Sequence, residues 1–358
     1  MALTLHGTVA DNTAVLDRRS AKPLIINGDM AVDQRNSGAS VTAVNNAYQV
    51  DRWRTFSGAA SKFTVQQQTS VVPPFFKNAQ KITSSSAYSA AAGEAFALNT
   101  PIEGGSIANL GFGTANAKYV TLSFLVYSSL TGTFSGSLFN SAWNRSYPFT
   151  YSVSSANTWT TIVVAIPGDT SGTWLTTTGT GLVVNFDIGS GSNWKGSANA
   201  WGSAAYTGVA GSVSIVGTSG ATFYVTGVQL EVGQFDANSI AAFQHESFGD
   251  SLQRCQRYYY HWVSGASKTF LAGGYYNANL FAGSFQFPTT MRTAPTLDYA
   301  TGTNYYGAFA GNAFDAIDVL SAVRMHENGG GIDTGTGTAG TQGNGGVLSS
   351  SVAFTAEL

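Results

Sequence analysis

The chain has 358 residues, 17 Lys and Arg against 19 Asp and Glu, and a formal net charge of −2. Charged residues are 10% and aromatics 13% of the whole, so the chain is too apolar for disorder and too weakly charged to seek nucleic acid or anionic lipid by electrostatics. Forty-two glycines against eight prolines imply many tight turns, and the single Cys255 excludes an intrachain disulfide.

Residues 1–22 carry no period and are expected to form an N-terminal attachment arm. They lack the basic start and long apolar stretch of a secretory signal, so synthesis in a cytoplasm is expected. No run reaches the roughly 20 apolar residues of a membrane span. A first β unit is expected over 23–236. Leu24-Ile25-Ile26 opens it and Asn27-Gly28-Asp29 marks a turn or bulge. The segment 51–56 reads as a strand with Trp53 and Phe56 near the core. Phe63–Gln67 and Gln80–Thr83 read as short strands, and 95–98 is ambiguous. Val120, Leu122, Phe124 and Val126 alternate along 119–128. Strands are also expected over 132–140, 159–166, 181–188, 213–216 and 222–232, with Gly227 as a bulge. Short strands between glycine-rich turns indicate an antiparallel jelly-roll β-sandwich, its last strand returning beside its first.

A linker with one short helix is expected over 237–259. Ser247 stands three residues before Asp250, a capping-box spacing. Phe248, Leu252, Cys255 and Tyr259 follow at spacings of four, three and four, as one apolar stripe. Cys255 reads as a small core residue. The stripe is too short to hold an oligomer alone, but it is a candidate trimer interface. A C-terminal β unit is expected over 260–358, with strands at 258–263, 270–276, 280–287, 305–309, 322–326 and 347–358. The glycine-rich stretch 327–346 reads as a mobile loop.

Five aromatic residues are candidate glycan-binding groups. Sugar C–H faces stack on rings while amides and hydroxyls bond their oxygens. Trp143 lies beside Asn144 and Arg145, Trp194 between Asn193 and Lys195, and Trp201 two residues after Asn199. Tyr275 and Tyr305 form a second potential platform. No GxSxG, HExxH or paired cysteines occur, so no catalytic residue is assigned. A carboxylate pair for glycan cleavage could still be assembled from scattered Asp and Glu residues. No cofactor is expected, although turn oxygens near Asp29 and Glu231 could hold a structural Ca²⁺.

Several segments taken in order resemble a group of bacteriophage virion proteins, the tail fibres, appendages and head-attached fibres. They are IINGDMAVDQRN with YQVDRW, Thr158-Trp159 through Ile166-Pro167-Gly168-Asp169 to Trp174, TGVQLEVG, LQRCQRYYYHW, and Phe287-Pro288 with Met291-Arg292-Thr293-Ala294-Pro295-Thr296-Leu297. The resemblance covers about residues 23–297. It implies a carbohydrate-binding-module-like jelly roll, a connecting helix, a small C-terminal β domain and a homotrimer on a virion. It carries over no catalytic or receptor-contact residue. The expectation is a non-enzymatic virion protein that attaches to host surface glycans and docks on other virion proteins through its arm. A head-decorating or connector protein and a glycan-cleaving tailspike are the alternatives.

Overall fold

The computed structural model describes residues 23–263, 268–299, 302–310, 313–335, 338 and 340–358. The expected arm lies outside these residues.

Residues 41–232 carry fourteen strands in chain order. They are β1 (Val41–Thr42), β2 (Ala47–Val50), β3 (Trp53–Ser57), β4 (Phe63–Gln68), β5 (Ala79–Ser84), β6 (Phe96–Glu103), β7 (Val120–Ser128), β8 (Gly132–Asn140), β9 (Ser146–Val153), β10 (Thr160–Ile166), β11 (Thr180–Asp187), β12 (Lys195–Gly196), β13 (Gly208–Val209) and β14 (Thr222–Val232). A single helical turn, α1 (Gly104–Ile107), follows β6. Two six-stranded sheets form, in the orders β1-β4-β5-β14-β7-β10 and β2-β3-β6-β11-β8-β9. Their pairings are antiparallel throughout. This is the jelly-roll-type sandwich that the alternation predicts. Between the sheets Phe124 meets Phe186 at 4.9 Å and Tyr151 at 5.1 Å, with Phe63, Phe96, Phe134 and Phe223 also fully buried.

Four details differ from the sequence reading. β14 does not lie beside β1 but sits centrally between β5 and β7. Gly227 does mark a bulge, with φ +61 where the register against β7 shifts. The 213–216 segment is not a strand, because Ile215 and Val216 plug the core as a turn. β9, with the sequence SYPFTYSV, has no counterpart among the expected strands. Its Pro148 falls on the sheet's outermost strand, where no neighbour needs the missing N–H.

The linker carries α2 (Phe248–Gln256). The Ser247 side chain accepts from the Asp250 N–H at 3.1 Å and bonds the Asp250 carboxylate at 2.6 Å, so the predicted cap forms. The C-terminal unit holds β15 (Tyr259–Val263), β16 (Thr269–Asn277), β17 (Leu280–Gln286), β18 (Thr296–Tyr299), β19 (Tyr306–Ala310), β20 (Ala313–Ile317), β21 (Ser321–His326), β22 (Gly329–Asp333), β23 (Gly345–Ser349) and β24 (Val352–Thr355). They form a three-stranded sheet, β15-β24-β18, and a seven-stranded sheet, β20-β19-β23-β16-β17-β22-β21. Phe270, Phe281, Met291, Tyr306, Ile332, Leu348 and Phe354 fill the core.

Two expectations are corrected here. The chain over 347–358 is two strands, because it changes sheets between Ser349 and Val352. The stretch 327–346 is not one loop, since β22 runs through it, paired with β17 and β21. Composition misleads there because glycine serves close approach. A Cβ on Gly330 would fall 2.4 Å from the Met325 sulfur.

The units are joined by a buried polar seam. Arg52, 1% exposed, pairs with Glu357, donates to the Pro101 carbonyl at 2.7 Å and lies 3.6 Å above the Tyr258 ring. Arg35 bonds Glu357 at 3.0 Å and stacks 3.6 Å from the Tyr259 ring centre. Glu103 accepts from Arg257 at 2.7 and 3.0 Å and from the Tyr258 hydroxyl at 2.7 Å. Arg292 donates to the carbonyls of Ala356 and Glu357, each at 2.6 Å. Gln34 donates to the Tyr259 carbonyl at 2.8 Å. Charges this deep are retained only when each has a partner of opposite sign or a carbonyl.

Candidate glycan-binding surface

Strand alternation sends Trp53, Leu98, Val184 and Leu138 into the sandwich and turns their neighbours outward. One outward row crosses all six strands of the second sheet. Tyr48 faces Arg54, Arg54 faces Asn99, Asn99 faces Asn185, Asn185 faces Ser137, and Ser137 faces Pro148. Arg54 donates to Asn99 Oδ1 at 2.7 Å, and Asn185 Nδ2 to the Thr207 carbonyl at 2.9 Å. Asn99 Nδ2, Asn185 Oδ1 and Ser137 Oγ are buried and, among the described residues, have no hydrogen-bond partner. Most buried polar atoms in folded proteins are paired, and an unpaired one costs about 1–3 kcal/mol.

Trp143 lies over this row. It occupies the turn from β8 to β9, which Asn140 clamps. The N–H groups of Asn144 and Arg145 donate to Asn140 Oδ1 at 3.2 and 3.1 Å, and Asn140 Nδ2 donates to the Thr173 carbonyl at 3.0 Å. Trp143 has φ +58, in the left-handed region that costs a bulky residue about 1–2 kcal/mol. Its ring centre is 5.4 Å from Phe56 and 5.0 Å from Phe139. Those rings stand on β3 and β8, with β6 and β11 between them, so the indole bridges above the two middle strands. It remains 41% exposed. Trp194 meets it edge-on at 6.2 Å, its own N–H donated to the Gly93 carbonyl at 2.9 Å. The two tryptophans, 51 residues apart in sequence, thus form one rim.

The other expected residues distribute differently. Trp201 does not join the rim. It packs among Phe112, Tyr147 and Trp174 at 5.3–5.9 Å and donates to the Pro167 carbonyl. Tyr275 is not a platform. It is 4% exposed, stands against Phe281 and donates to Asp315, and burial pushes its hydroxyl up to about 12. Tyr305 is 43% exposed, beside Tyr306.

The helix stripe splits. Cys255 is wholly buried against its own chain, near Asp51 and Arg52, and burial holds its thiol well above the usual range. Tyr259 belongs to β15 and lies under Arg35. Neither is open to a sister copy. A helical spacing placed Tyr259 on the stripe, but α2 ends before it. Phe248 stays 61% exposed and Leu252 is half-buried.

Asp29 Oδ2 lies 3.8 Å from the His245 ring. Among the described residues no three His, Cys, Asp or Glu side chains are grouped as metal ligands would be, so the Asp29–Glu231 turn gains no such cluster. No described helix is long and apolar enough to cross a membrane. Asp169 is held by Arg145 through two bonds of 2.7 Å, Asp187 pairs with Lys195, and Glu94 accepts from the Tyr88 hydroxyl at 2.8 and 2.9 Å.

Sequence reading found Trp143 and Trp194 but missed Phe56 and Phe139 as their supports, and missed the Arg54–Asn99–Asn185–Ser137 row. The signal for the row was present. Asn99, Asn185 and Ser137 are polar residues at outward positions of otherwise apolar strands.

No protein-family model matches the sequence, and no curated protein does. Among solved structures, the chain is similar to the enzymatically active domain of tailspike protein 4 of bacteriophage CBA120, at 12% identity and a TM-score of 0.33, over 59% of this chain and 21% of that one. It is similar to a family 11 carbohydrate-binding module from Clostridium thermocellum in complex with a β-1,3-1,4-mixed-linked tetrasaccharide, at 10% identity and a TM-score of 0.28, over 55% of this chain and 97% of that one. It is also similar to the tandem carbohydrate-binding domain of Paenibacillus barcinonensis Xyn10C, at 9% identity and a TM-score of 0.25, over 90% of this chain and 92% of that one.

Proposed function

We propose that this chain binds glycans without cleaving them, on the outer face of its second sheet, as an appendage of a phage virion. One observation carries the binding claim. An exposed, conformationally strained Trp143 forms one aromatic rim with Trp194. The indole offers an apolar face for sugar C–H groups, while the polar row beneath it is buried and underlies the rim rather than meeting the ligand. The neighbouring Asp169 and Asp187 are in ion pairs, which suits a site that holds a sugar rather than one that transfers protons to it.

The virion role rests on the sequence resemblance. Its attachment is multivalent in this reading, with three copies meeting through Phe248 and Leu252 at the free edge of α2 and three weak sites gaining avidity. An array of bacterial lipopolysaccharide and capsular glycans tests binding. Trp143→Ala is expected to weaken the best ligand about 10- to 30-fold, or roughly 1.4–2 kcal/mol. Its melting temperature should fall by only a few degrees, since Trp143 is 41% exposed and its contacts are to Phe56 and Phe139 on the outer face. Unaltered affinity in that variant removes the site, and release of reducing ends from the bound glycan removes the non-enzymatic reading. Light scattering after size exclusion tests the assembly. Three times the chain mass is expected, and a monomer at micromolar concentration would discard the trimer.

A further inference from the structure

A second cleft lies in the C-terminal unit, on the outward face of the three-stranded sheet. It encloses about 330 Å³ and is lined by Tyr259, His261, Asp298, Tyr299, Tyr305 and Ser351. Strand register builds it. His261 on β15 and Asp298 on β18 both face Ala353 on β24, so the three form one row across the sheet. Ala353 is the low floor, and the two polar groups are walls two strand spacings apart, about 10 Å. Tyr299 and the 43% exposed Tyr305 supply ring surface at the rim. That width admits one pyranose.

The hydrogen-bonding character is one-sided. His261 Nδ1 lies 2.6 Å from the Gln34 carbonyl oxygen, which can only accept, so Nδ1 carries a proton, while Nε2 lies 3.4 Å from Ser351 Oγ. The Ser351 hydroxyl donates to the Val263 carbonyl at 3.0 Å, so toward His261 Nε2 and the cleft it presents oxygen lone pairs. The Tyr259 hydroxyl hydrogen-bonds Asp298, whose carboxylate is exposed and keeps further acceptor sites. No Lys or Arg lines the cleft.

We infer that this cleft is a saccharide subsite for one neutral or amino pyranose, and that it rejects sugars bearing a carboxylate or phosphate. The ligand must bring donors, because the exposed Asp298 carboxylate can only accept. It must not be anionic, because Asp298 would face its charge without a compensating cation. Its C–H face must be free to lie on Tyr305. The subsite is separate from the Trp143 surface and stands or falls without it.

Ligand-observed NMR on the full chain at low salt tests this with glucose, galactose, glucosamine and glucuronate as probes. Glucosamine is expected to bind best, the neutral hexoses more weakly, and glucuronate at least about fivefold more weakly than glucose. The preference for glucosamine over glucose should shrink as salt is raised. Asp298→Asn should erase that preference, and Tyr305→Ala should weaken all the binding sugars about fivefold or more. Both residues are exposed, so the melting temperature serves as a control and should hold. Trp143→Ala should leave monosaccharide binding unchanged, whereas it lowers affinity on the glycan array. Glucuronate binding as well as glucose, indifference to Tyr305→Ala, or silence of all four sugars would each overturn the subsite.

Discussion

Replacing Glu357 by alanine is expected to cost roughly 3–5 kcal/mol of stability, the range for removing one member of a buried ion pair. Glu357 is the anion that both Arg35 and Arg52 face. Arg52 is 1% exposed and can reach no water once Glu357 is gone. Its remaining contacts, the Pro101 carbonyl and the Tyr258 ring, do not neutralise a guanidinium. Arg35 keeps Asp51 at 3.5 Å, so the damage concentrates on Arg52. A loss of that size lowers the melting temperature by about 4–7 °C in a chain of this length. The seam also couples the units, so calorimetry should show one transition dividing into two. Arg52→Met in the Glu357→Leu background removes both charges and should recover most of the loss, since an apolar pair of similar volume is often neutral or stabilising. A loss below about 1 kcal/mol for Glu357→Ala would mean that the seam is ornamental.

Several of the segments that carry the resemblance meet at this seam. YQVDRW supplies Tyr48, Asp51 and Arg52. RYYYHW supplies Arg257, Tyr258 and Tyr259. Met291-Arg292 supplies the guanidinium that holds Ala356 and Glu357. In each of these, charged and aromatic residues mix at no clear period. They have no period because they answer to one another across the chain rather than to a local strand or helix. What was legible in the sequence was local. Alternation found most sandwich strands, and Ser247 with Asp250 found the start of α2. What was illegible was nonlocal. Glycines over 329–331 were read as a loop because their role is to sit against Phe285 and Met325, which no local pattern encodes. Tyr259 was placed on the helix because spacing continues past a helix end that tertiary pairing with β24 decides. Trp201 and Tyr275 were read as open because their surroundings in sequence are small and polar. Their surroundings in space are aromatic.

The seam should also set the pH profile of stability, and two of its carboxylates, Asp51 and Glu103, act in opposite directions. Asp51 is 1% exposed, and burial pushes its carboxyl up to about 6 from an ordinary 3.8, against the lowering pull of Arg35 and of the bonds from Gln34. Its folded form therefore holds its proton more tightly than its unfolded form. Below about pH 4 both forms are protonated and Asp51 contributes nothing. As pH rises from 4 to 6 the unfolded chain ionises first, and stability falls by about 3 kcal/mol, after which the loss is constant. For Glu103, burial acts upward, but the bonds from Arg257 and Tyr258 outweigh it and hold the carboxyl below its ordinary 4.5. That stabilisation is complete above pH 4.5 and is lost as pH falls further. The two windows meet near pH 4–5, so the urea midpoint should peak there and decline toward neutrality. Asp51→Asn should flatten the decline between pH 4 and 6 while leaving the acid limb in place. Glu103→Gln should do the reverse. A wild-type midpoint that rises steadily from pH 4 to 7 would show that Asp51 stays ionised in the fold, with Arg35 dominating its burial.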